Sequence, residues 1–178
     1  KLAELIGGRG KVAILTKVGQ PNLEERVRGY KDALMKHAGI EVVRVADTKS
    51  EVPMAAQAAA AVIAAIPDLA GIGCVEAAGG AGAATAVREA NLAGKVRIVA
   101  MDRDNDILNY IDGGIIDATV AQQTMLMPYY GLLVLYQLNH HSLPVSSDNA
   151  SAGVSGVPRV IDTGTVLVDK SNCKMFMR

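Results

Sequence analysis

The sequence reads as a doubly wound α/β fold: a parallel sheet covered by helices on both faces, a three-layer α/β/α sandwich. Three observations carry that reading. Apolar strand-like runs alternate with segments of helical spacing through five units. Several runs are continuously apolar, which marks strands buried on both faces of a sheet. Gly and Pro punctuate the junctions at Gly39, Pro67, Gly94 and Gly113-Gly114. Right-handed crossovers between such strands wind the sheet in both directions.

Each element has a local reason. Residues 1–8 look like the last turns of an amphipathic helix closed by Gly7 and Gly8. Residues 10–16 are a short apolar strand. Over residues 21–38, Leu23, Val27, Tyr30, Leu34 and Met35 share one helical face. Pro21 suits the first turn, and Glu24 and Glu25 favour its positive end. Gly39 stops that helix, and residues 40–45 form a second strand. Ser50 caps a helix over residues 51–66, ended by Pro67-Asp68. Residues 69–75 are a third strand, followed by a helix from about residue 80 to 92. Residues 96–101 are a fourth strand, 105–111 a short helix, and 115–120 a fifth strand. Residues 125–140 are a long apolar helix whose Tyr129, Tyr130 and Tyr136 read as packing groups. Residues 142–156 read as a loop, and 159–168 as a last strand or strand pair.

Composition bounds the function. The 178 residues are 50% apolar, with eighteen basic and eighteen acidic side chains. So large an apolar fraction excludes disorder. Two cysteines exclude a disulfide-dense scaffold. Zero net charge argues against a nucleic-acid surface. The longest nearly uncharged run, residues 52–69, is broken by Pro53, Gln57, Pro67 and Asp68, so it reads as a helix of a globular domain and not a membrane span. No signal-peptide pattern stands at the start. Cys74 and Cys173 share no metal-ligand spacing and read as a buried small hydrophobe and an incidental terminal thiol.

In a doubly wound sheet, ligands sit outside the carboxyl ends of the strands. After the first strand, Gln20, Asn22, Glu24 and Arg26 crowd a helix start; helix capping explains Asn22 and Glu24 equally well. After the third strand comes Glu76 and the small-residue run Gly79-Gly80-Ala81-Gly82, which suits a tight turn and close approach. Its spacing is neither a dinucleotide fingerprint nor a phosphate loop. After the fourth strand come Asp102, Arg103, Asp104 and Asp106; their spacing matches no calcium loop, so no metal is expected. Gln122 follows the fifth strand, and its amide offers both donor and acceptor to a neutral polyol. Catalysis finds little support. His37 and the His140-His141 pair lie away from the strand ends, and there is no nucleophile elbow. No catalytic residue and no cofactor are expected; a Rossmann-like enzyme is the weakest alternative.

Five segments, in order, resemble the C-terminal lobe of a type I periplasmic sugar-binding protein. This ribose/galactose-binding class also contains the effector cores of LacI-type repressors. The segments are Gly8 to Leu15, Arg26-Val27-Arg28-Gly29-Tyr30, Gly94 to Asp102, Ile115 to Gln122, and Asp162 to Val168. The resemblance implies that Asp102 and Gln122 hydrogen-bond sugar hydroxyls, and that Asn22 and Glu24 meet ligand at the turn before the first long helix. Glu76 stands where many members place an Asn-Asp pair. That extra acidity disfavours anionic ligands and suits neutral or cationic ones.

The expectation is therefore one lobe over residues 1–178, with the N-terminal lobe absent from this sequence. Members bind ligand between two lobes and close by hinge motion. Six aromatics and no Trp agree with a lobe that lacks the stacking surface of its partner. The implied function is the substrate-binding component of an ABC transporter, with a sugar as ligand and a membrane permease as partner. It implies a periplasmic or extracellular location, with a possible lipid anchor in the parent protein. The alternative is the effector core of a LacI/GalR-type regulator, which requires a helix-turn-helix upstream.

Overall fold

The computed structural model describes residues 1–140 and 143–177. His141 of the His140-His141 pair, and Ser142 at the start of the expected loop, lie outside the described residues. The strands are β1 (Arg9–Thr16), β2 (Gly39–Asp47), β3 (Leu69–Cys74), β4 (Arg97–Met101), β5 (Ala118–Gln122) and β6 (Thr165–Asp169). They form one sheet in the order β2-β1-β3-β4-β5-β6. The pairs β1–β2, β1–β3, β3–β4 and β4–β5 are all parallel. Winding reverses at β1: the chain steps one way to β2 and the other way to β3. That places the topological switch point between the carboxyl ends of β1 and β3.

The helices are α1 (Leu2–Leu5), α2 (Pro21–Leu34), α3 (Val52–Ala65), α4 (Ala77–Glu89), α5 (Asn105–Asp112) and α6 (Leu126–His140), and a 3-10 turn covers Cys173–Met175. Strand side chains alternate between two faces. Val12 and Ile14 pack with Leu2 of α1 and with Leu23, Val27 and Leu34 of α2. Leu15, Cys74 and Ala100 point the other way, toward α4. These are the three layers expected from continuously apolar strands.

Small residues mark where layers approach closely. A Cβ on Gly73 would stand 2.5 Å from the Tyr30 ring. That ring is partly buried, and its hydroxyl donates to the Val99 carbonyl at 3.3 Å. Burial also pushes the Tyr30 phenol well above its usual pKa. The run from Gly79 to Gly82 is not the expected turn. It lies inside α4, which starts at Ala77, three residues before the expected start. A Cβ on Gly80 would meet that of Ala100 at 2.8 Å, and one on Gly82 would meet that of Ala55 at 2.4 Å. Packing of α4 against β4 and α3 has overridden the weak helix propensity of glycine.

Other departures have equally local causes. Helix α2 ends at Leu34, so His37 falls in the turn beyond it, and Met35 is 71% exposed. Ser50 is not the cap of α3; Glu51 is, and Ser50 takes a left-handed backbone with φ +58°. The fifth strand begins at Ala118 because Asp117 bridges outward: it holds Arg97 at 2.8 Å and accepts the Ile98 N–H at 2.8 Å. Only residues 165–169 of the expected closing strand are extended into the sheet. Cys173 is as buried as Cys74, under the final turn.

The chain divides into two compact units, residues 1–121 with 167–178, and residues 122–166. Unit one holds the sheet core. In unit two, α6 buries no residue: Tyr129 and Tyr136 are more than half exposed, with Tyr130 only slightly less so. Beyond α6, Asn149 knits the loop, accepting the Val145 and Ser146 amides and donating to the Leu143 carbonyl. Among the described residues no helix is long and apolar enough to cross a membrane.

Candidate functional site

The carboxyl end of β4 carries the most constrained candidate. Asp102 follows the last strand residue with φ +72°, a left-handed backbone that Asp tolerates better than most residues. Strand β5 clamps it from both sides. The Asp102 N–H donates to the Val120 carbonyl at 2.9 Å, and its own carbonyl accepts the hydroxyl of fully buried Thr119 at 2.7 Å. The backbone is thereby fixed while the half-buried carboxylate remains at the sheet edge. Burial pushes this carboxyl above its ordinary 3.8. The Arg26 guanidinium pulls it back, and Asp104 and Glu76 push it up again.

Three chain segments thus bring charge to one place. Arg26 projects from the second turn of α2, and its Nη1 donates to the Val75 carbonyl at 2.7 Å, just past the end of β3. That contact sits at the switch point of the sheet. Glu76 is the next residue and leads into α4. Its Oε1 accepts the Thr48 hydroxyl at 2.5 Å. Arg26, Glu76 and Asp102 form one electrostatic group. Two carboxylates and one guanidinium can accept hydroxyl protons and donate to ring or hydroxyl oxygens.

Asn22 and Glu24 take a different place. Both are exposed in the first turn of α2, and Glu24 Oε1 accepts the Gly19 N–H at 2.9 Å, closing the β1–α2 loop. Neither is among the groups that perturb Asp102. Gln122 is the last residue of β5, partly buried, and the first residue of unit two. Sequence reasoning named Arg26 in the crowded helix start but did not choose it as a site residue. The available signal was its four-residue spacing from Asn22, one helical turn further along the same face. Thr48 and Thr119 carried no motif at all. Among the described residues no three His, Cys, Asp or Glu side chains are grouped to hold a metal ion.

A doubly wound sheet with hydrogen-bonding charges gathered at its switch point defines a ligand-binding lobe. Residues 1–141 match the periplasmic binding protein domain, and the chain belongs to that family. Solved structures agree over nearly the whole chain. AraP, an arabinose-binding protein from Geobacillus stearothermophilus, is 35% identical with a TM-score of 0.88, covering 99% of this chain and 60% of that one. A sugar-binding protein of a sugar ABC transporter from Bacillus halodurans is 34% identical with a TM-score of 0.86, covering 98% and 60%. An ABC transporter solute-binding protein from Agrobacterium vitis, bound with α-D-tagatopyranose, is 30% identical with a TM-score of 0.83, covering 99% and 57%. The chain therefore spans about three fifths of the length of these structures. No curated protein matches the sequence.

Proposed function

We propose that this chain is the C-terminal lobe of the substrate-binding component of an ABC transporter, and that its ligand is a sugar or related polyol held between two lobes. The observation that carries this reading is Asp102. Its backbone is clamped in a left-handed conformation, and its carboxylate stands beside Arg26 and Glu76 at the carboxyl edge of a parallel sheet. Asp102 and Gln122 take sugar hydroxyls, with Asn22 and Glu24 at the rim. A membrane permease is the partner, the location is periplasmic or extracellular, and the lobe binds without catalysing.

Titration calorimetry on the two-lobed protein tests this with arabinose, D-allose, D-fucose and D-tagatose. At least one sugar is expected to bind with Kd of about 10 μM or tighter, some −7 kcal/mol. Absence of heat and of a thermal shift with all four sugars overturns the reading.

A further inference from the structure

The Glu76 carboxylate has a dedicated hydrogen-bond donor that no ligand supplies. Thr48 stands one residue beyond β2, 28 residues before Glu76, and its side chain is fully buried. Each of its polar groups is engaged. Its N–H donates to the Thr16 carbonyl at 2.8 Å, and its carbonyl accepts the Glu51 N–H at 3.0 Å. Its hydroxyl oxygen accepts the Ser50 N–H at 3.2 Å. A threonine hydroxyl has one proton. With the Ser50 amide on one lone pair, that proton goes to Glu76 Oε1 at 2.5 Å. The turn that aims it is itself constrained. Lys49 and Ser50 have φ of +54° and +58°, and Asp47 accepts the Lys49 N–H at 3.0 Å.

We propose that Thr48 is a positioning residue for ligand recognition: it holds Glu76 by Oε1, so that Oε2 is offered to a donor group of the bound sugar. The proposal rests on the sugar-binding reading and names its substrate class more closely. An ionised carboxylate only accepts hydrogen bonds. The group facing Glu76 must then be a hydroxyl or an ammonium. A ring oxygen, a carboxylate or a phosphate at that point meets a lone pair and a negative charge. At that point the site therefore takes a hydroxyl of a neutral sugar or the ammonium of an amino sugar in preference to an anionic group.

Thr16 supplies the control. It is equally buried at the end of β1, and its Oγ1 has no partner among the described residues. Thr16→Val removes a hydroxyl that makes no bond; Thr48→Val removes the one that holds Glu76. On the two-lobed protein, calorimetry with arabinose, D-allose, D-fucose and D-tagatose is run on wild type, T48V, T48S, T16V, E76A and the double variant T48V/E76A. For the tightest of these sugars, T48V is expected to lose about tenfold in affinity, in keeping with a lost hydrogen bond to a charged group. T48S restores the affinity, and T16V leaves it unchanged. E76A loses at least as much as T48V, and T48V adds nothing in the E76A background.

An unchanged affinity in T48V overturns the proposal. So does a T48V loss that persists in the E76A background, because Thr48 then serves the fold and not Glu76. If T48V does not fold, E76A decides by itself: wild-type affinity in that variant overturns the proposal. A wild type that binds none of the sugars overturns the proposed function, and this inference with it.

Discussion

At Asp102 two demands compete. Its carboxylate is useful ionised, since protonation replaces an acceptor by a donor. Burial and the neighbouring carboxylates oppose ionisation and raise its pKa above 3.8. A carboxyl whose folded pKa is raised costs stability above that pKa, and the cost disappears as pH falls through it. Asp102→Asn removes that charge. Asn also tolerates a left-handed backbone, whereas Ala at φ +72° adds strain of its own. Asp102→Asn is therefore expected to weaken sugar binding by about tenfold or more, while Tm at neutral pH stays equal to wild type or rises. A fall in Tm with unchanged affinity refutes the assignment. In wild type, affinity should decline on acidification at a pH above the ordinary aspartate range, measured by calorimetry at stepped pH. Asp102 was legible in the sequence because it ends an apolar strand. Its clamps, Thr119 and Val120, were not, since a buried threonine in a strand looks like any other β-branched residue.

Helices show why element boundaries were less legible than element order. A run of glycines looks like a turn by propensity, yet here it lies in a helix packed closely on β4 and α3. Two glycines separate propensity from packing. Gly29, inside α2, has open space where a Cβ would go. Gly82, inside α4, has the Ala55 Cβ at 2.4 Å and the Ala56 backbone nitrogen at 2.6 Å. Replacing either by Ala gains about 1 kcal/mol of helix propensity. At Gly29 nothing opposes the gain, so Gly29→Ala should raise Tm by about 2–4 °C. At Gly82 the clash is with backbone, which cannot swing aside as a side chain can. Overpacking costs about 1–3 kcal/mol or more, so Gly82→Ala should lower Tm. Thermal denaturation followed by circular dichroism measures both. A Tm for Gly82→Ala equal to or above wild type would mean that α4 slides on α3 to make room.

At the scale of the whole molecule, the setting of α6 was the part least legible in the sequence. Residues 125–140 read as a long apolar helix, and no local signal says which chain segments pack on it. In the structure α6 lies in the unit of residues 122–166 and has no buried residue. Local stability follows buried apolar contact, so the two units should open with different free energies. A helix of 15 residues is at the limit of what stands without tertiary packing. Hydrogen exchange on this 178-residue chain should therefore show α6 amides with protection of about tenfold to a hundredfold at most. The amides of β1, β3 and β4, whose side chains form the core, should exchange only on global unfolding. If α6 in the 178-residue chain is already as protected as β1, its stability comes from within unit two. The sugar-binding reading of Asp102, which does not depend on α6, is untouched by either result.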